Sequence, residues 1–125
     1  MWVMPRIWPV CLFLALLTGC ATSRPVGYQS DVYPLLKHKC FRCHTPPNGE
    51  GFLKTGLNMQ TYESLMAGTY YGEVIIPGDS RRSILNKLVE GRAGKAMLMP
   101  HDSNSSLTDA EIETLRLWVE QGAEY

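Results

Sequence analysis

Lys39-Cys40-Phe41-Arg42-Cys43-His44-Thr45 places two thiols three positions apart, with an imidazole directly after the second. Three chemistries use such a pair. A structural zinc ion takes four ligands, typically from two such pairs. This chain has one, so His38, His44 or His101 would have to complete the set. A redox dithiol follows a buried strand and opens a helix, whereas the residues before Cys40 carry an amphipathic helical pattern. The third chemistry is covalent attachment of haem, for which C-x-x-C-H is the signature. Two cysteine sulfurs add across the vinyl groups and fix the haem edge to the backbone, and the following histidine is carried beneath the iron as its proximal ligand.

The N-terminus, MWVMPRIWPVCLFLALLTGC, predicts export. Arg6 supplies a basic start and Ile7 to Leu17 an apolar run, shorter than the roughly 20 residues that span a bilayer and matching the core of a secretory signal. Leu17-Thr18-Gly19-Cys20 resembles the bacterial lipobox, which implies cleavage before Cys20 and acylation of its thiol. Ala21, in place of an aspartate, points to the outer membrane and a domain facing the periplasm. The expected organisation is a signal peptide over 1–19, a lipid-anchored tether over 20–27 and one domain over 28–125. Of the four cysteines, Cys11 leaves with the signal and Cys20 takes lipid. Cys40 and Cys43 then stand alone, which excludes a disulfide scaffold. Export agrees with haem attachment, which takes place outside the bacterial inner membrane.

Twelve basic and twelve acidic residues, mixed along the chain, give no net charge. A nucleic-acid partner is not expected, and steering of protein partners by charge should be weak. No Ser/His/Asp set, phosphate loop or carboxylate pair stands out, so an enzyme of another type has little support.

Four helices are predicted. The first runs from about Asp31 to Lys39, capped by Ser30 or Asp31, with Pro34 in its first turn and Val32, Leu35 and Leu36 on its apolar face. The second covers about Tyr62 to Ala67. The third spans about Arg81 to Glu90, after the turn signal Pro77-Gly78-Asp79, with Ile84, Leu85, Leu88 and Val89 inward. The fourth follows the capping box Thr108-Asp109-Ala110-Glu111, and Ile112, Leu115, Trp118 and Val119 form its stripe. Irregular stretches fill 44–61, 69–80 and 91–107. The fold class is therefore all-α, with long loops around a bound apolar group.

A proximal histidine leaves a sixth position on the iron. Met59 and Met66 read as core filler, and His38, within one turn of Cys40, as a surface residue. Met97, Met99 and His101 share an irregular segment that Pro100 biases toward extended backbone. In such a segment all three point the same way, and period-two geometry does not choose among them.

The ordered motifs CFRCH (40–44), PGDSRRSIL (77–85), LMP (98–100) and LTDAEIETLRLWVEQGA (107–123) resemble the monohaem class I c-type cytochromes, and most closely the planctomycete-type cytochrome c domain. The resemblance spans about Asp31 to Ala123. It implies a small class I cytochrome c fold in which the first and last helices cross. It also implies one covalent haem c on Cys40 and Cys43, His44 as proximal iron ligand, and Met99, the methionine before the proline, as distal ligand. Many relatives carry proline or glycine where His101 stands here. Bound on both faces, such an iron only changes oxidation state, so the implied role is an electron carrier that meets redox partner proteins over small interfaces. A fixed subunit of a membrane redox complex is the alternative, as is a small-ligand sensor or weak peroxidase if Met99 leaves the iron. Arg81, Arg82 and Tyr71 are candidates for contacts to the haem propionates. Oligomeric state is not legible.

Overall fold

The computed structural model describes Met1 and residues 24–125. The expected signal peptide and the lipidation residue Cys20 lie outside the described residues. Five α-helices follow in order: α1 Tyr33–Lys39, α2 Glu50–Thr55, α3 Tyr62–Ala67, α4 Ile84–Val89 and α5 Asp109–Glu120. No strand occurs among the described residues, and the all-α expectation holds.

The first helix begins earlier than its apolar pattern suggested. A π turn, Tyr28–Val32, leads directly into α1, so Ser30 and Asp31 lie inside the helical run and Gly27 occupies the N-cap position. Asp31 and Val32 both donate their N–H to the Gly27 carbonyl (3.0 and 3.3 Å). Asp31 still satisfies an end group, because its carboxylate accepts from the Gly27 N–H at 2.8 Å. The widened turn sits where Pro34, lacking an N–H, cannot bond back to the preceding turn. Within the expected tether, Val26 donates its N–H to the Gln121 side chain at 2.9 Å, so the chain already lies against the domain there.

Capping fixes the last helix as its sequence predicts. Thr108 Oγ1 accepts from the Glu111 N–H at 3.3 Å, and the Glu111 carboxylate accepts from the Thr108 N–H at 2.7 Å. Leu115, Trp118 and Val119 are fully buried with Val32, Leu35 and Leu36 in one core cluster. The contact runs chiefly through the N-terminal π turn, which packs against α5, as does α4. Tyr28 closes this crossing, its ring centroid 5.6 Å from Trp118 and 5.2 Å from Tyr62. The Trp118 indole N–H finds the Glu124 carbonyl at 2.8 Å, which satisfies the polar end of a buried side chain.

Helix α4 is shorter than expected, starting at Ile84 instead of Arg81. The preceding residues are held in a turn: Asp79 donates its N–H to the Ile76 carbonyl at 2.9 Å, and Gly78 takes φ 81°, which a side chain would disfavour. Buried Ser83 locks that turn. Its hydroxyl accepts from the Ile76 N–H and donates to the Asp79 carbonyl, both at 2.8 Å.

Helix α2 lies in the stretch read as irregular. It spans barely more than one turn, contains Gly51 and exposes Leu53, so it carries neither apolar period nor propensity. Tertiary contact makes it: Phe52 donates its N–H to the Cys43 carbonyl at 2.9 Å.

Candidate cofactor-binding site

Where α1 ends, the chain curls into a tight turn. The His44 N–H donates to the Cys40 carbonyl at 3.0 Å and the Cys43 N–H donates to the same oxygen at 3.1 Å. Both thiols are free. The turn is held from outside by α2 and by Met59, whose N–H donates to the His44 carbonyl at 2.9 Å. Gly51 of α2 lies against the imidazole: a β-carbon there would stand 2.5 Å from His44 Cε1. Only glycine admits this approach.

His44, Cys40 and Cys43 open onto a cavity of about 560 Å³, a size typical of ligand sites, which run roughly 300–1,000 Å³. Leu57, Val74, Leu85 and Val89 give it apolar walls. Ile84 and Tyr71, 41% and 84% exposed, also face it, so apolar surface that a soluble domain would normally cover lies open there. Burial pushes the Cys40 thiol up to about 12, with lesser contributions from Cys43 and Glu111. Burial also holds the His44 pKa below its ordinary value. The Leu57 backbone opposes that shift, and His101 reinforces it. The Nδ1 atom of His44 is buried with no partner at hydrogen-bonding geometry.

Of the three distal candidates in the segment around Pro100, Met97 is set apart from the other two. Met99 is half-buried against the core and lines the cavity, and its N–H donates to the Leu88 carbonyl of α4 at 3.2 Å. His101 lines the same cavity from an exposed position. Met97 does not line it; the residue closes a 3₁₀ turn, Lys95–Met97, and is half exposed. The segment is therefore not uniformly extended, and the period-two expectation for 97, 99 and 101 fails at its first member. Met59 is buried and contributes to the wall, Met66 packs on the core, and His38 is exposed.

Of the residues considered for propionate contacts, Tyr71 lines the cavity while Arg81 and Arg82 do not. Arg82 instead pairs with Asp79 at 3.8 Å. The Arg81 carbonyl accepts from the Arg92 guanidinium at 2.9 Å, an arrangement of the PGD turn that sequence spacing did not reveal. Thr55 and Thr69 also line the cavity, and the reading of the sequence passed over them. Hydroxyls in loops and short helices carry no periodic signal.

An all-helical domain folded around an apolar cavity, with two free thiols and a half-buried imidazole facing in, is a protein built around a prosthetic group. The family model of planctomycete cytochrome C matches residues 40–103, half of the chain. The chain belongs to that family. No curated protein and no solved structure matches it.

Membership implies haem, and the residues present fit one. The free thiols share a single turn with the imidazole that follows them, the Nδ1 atom of that ring is buried without a partner at hydrogen-bonding geometry, and the cavity walls are apolar. Among the described residues no cluster of three or more His, Cys, Asp or Glu is placed to hold a bare metal ion.

Proposed function

We propose that this protein is an electron carrier with one haem c, joined through Cys40 and Cys43 and ligated by His44 and Met99. Haem-based electron transfer follows from the family; the covalent links, the single haem and the two axial residues are our reading. One observation carries it: Cys40, Cys43, His44 and Met99, spread over sixty positions of sequence, line one apolar cavity.

The haem, when bound, supplies an iron that passes between the ferrous and ferric states. The chain's own residues set the conditions. Cys40 and Cys43 would tie the group at one edge, and their rigid turn would aim the His44 ring. Gly51 presses the α2 backbone onto that ring and limits its rotation. The α4 carbonyl of Leu88 holds the Met99 backbone. A thioether in place of a second imidazole raises the potential. If His44 and Met99 both hold the group, no site would remain for oxygen or substrate, and reaction would be confined to electron exchange with partner proteins.

We further propose that Cys20 is acylated and holds the domain on a bacterial membrane facing the periplasm, the outer membrane being favoured. The apolar run before Leu-Thr-Gly-Cys supports this. No helix among the described residues is long and apolar enough to cross a membrane.

Optical spectra of the oxidised and reduced protein, wild type and Met99→Ala, test the assignment. The wild type should show covalent haem and an iron–sulfur charge-transfer band, and Met99→Ala should lose the band and bind carbon monoxide when reduced. An intact mass without added haem, from protein matured in its natural host, refutes the proposal.

A further inference from the structure

Arg42 lies between the two cysteines, and Asp102 lies three residues beyond Met99. Across a sequence separation of sixty, the Arg42 Nη1 donates to Asp102 Oδ2 at 2.8 Å. Asp102 is itself fixed, because its other oxygen accepts from the Asn104 N–H at 3.0 Å and caps the 3₁₀ turn Ser103–Ser105. Lys39, on the other side of Cys40, donates to the Ser106 carbonyl at 3.0 Å and pairs with Glu111 at 3.6 Å. The attachment turn thus holds the segment after Met99 directly, through side chains of its own. Upstream, the Met99 N–H is held by Leu88.

Resting on the Met99 reading, we propose that Arg42 and Asp102 form a clasp that keeps Met99 on the iron, both acting as positioning residues. A distal methionine is a weak ligand on a loop; it leaves whenever the loop opens. Two peptide segments bound to opposite faces of one cofactor normally communicate through that cofactor alone. Here the pair joins them independently, so opening the distal loop also requires breaking an ion pair. The Arg42 side chain is 81% exposed and Asp102 34%, so the clasp is screened and its strength is that of a surface pair. Such pairs shift an equilibrium by at most about fivefold, and added salt weakens them further.

The test uses the ferric holoprotein and imidazole as competing ligand. Imidazole binds only the methionine-off state, so its apparent affinity scales with the population of that state. Arg42→Gln and Asp102→Asn should each raise the affinity by about three- to fivefold, asparagine retaining the cap to Asn104. The double variant should match the single ones, since both remove one interaction. Arg42→Lys should bind imidazole as the wild type does. High salt should raise the affinity of the wild type toward that of the variants and leave theirs unchanged. Unchanged affinities in the single variants, or additive effects in the double, overturn the clasp. Failure of the ligand assignment shows separately, as a Met99→Ala spectrum identical to the wild type, and overturns the proposal at its root.

Discussion

Replacing Gly51 by alanine should reverse the usual effect of this substitution. Inside a helix, glycine costs about 0.5–1 kcal/mol relative to alanine, so propensity alone predicts that Gly51→Ala stabilises α2. The geometry says otherwise. The new β-carbon would sit 2.5 Å from His44 Cε1, 2.8 Å from Nδ1 and 2.9 Å from Nε2. Carbon atoms in contact stand about 3.5–4.0 Å apart, so the ring or the helix must yield by about 1 Å. The His44 ring is fixed at its backbone by bonds to Cys40 and Met59, and α2 by the bond from Phe52 to Cys43. Overpacking a constrained site costs about 1–3 kcal/mol, which exceeds the propensity gain. Urea unfolding of the holoprotein should show Gly51→Ala less stable by about 1–2 kcal/mol, with a shifted haem spectrum as the ring turns. In a His44→Ala background the clash is gone, and the same change should become neutral or stabilising. Equal stability and an unaltered spectrum for Gly51→Ala in the wild-type background would refute this account of α2.

The Cys40→Ala/Cys43→Ala variant should lose most helical circular dichroism. At about 24 cal/mol per Å³ an empty 560 Å³ cavity would cost up to about 13 kcal/mol, comparable to the whole stability of a small domain; its open mouth makes this an upper bound. A fully helical, cooperatively melting variant would contradict it. Trp118→Ala removes a side chain 1% exposed at the helix crossing and should cost about 3–5 kcal/mol in chemical unfolding. Glu111 is held below the ordinary carboxylate range, first by its bond from the Thr108 backbone. Its contribution is therefore complete above the ordinary glutamate value and is lost as pH falls through the depressed one. Glu111→Gln should flatten that part of the acid unfolding curve, by about 1 kcal/mol at most, given its exposure to solvent.

The parts legible in the sequence are those whose cause is local. A capping box announces itself because Thr108 and Glu111 satisfy each other's backbone within four positions. The thiol and imidazole spacing is equally short in range, as is the stripe that buries Leu115, Trp118 and Val119. The rest depends on contacts between distant residues. Helix α2 exists because the Cys40–His44 turn offers its Phe52 a carbonyl, and glycine at 51 carries no apolar signal. Ile84 and Leu88 sit on an apolar face, yet they look into the cavity and not into protein core. Their pattern is the same in either case, since hydrophobicity does not reveal whether side chains or a cofactor will cover it. Met97, Met99 and His101 are equivalent by spacing. The 3₁₀ turn ending at Met97 takes that residue out of the cavity wall while Met99 and His101 both stay in it, because which of several neighbours faces a cavity is settled by the backbone path across it.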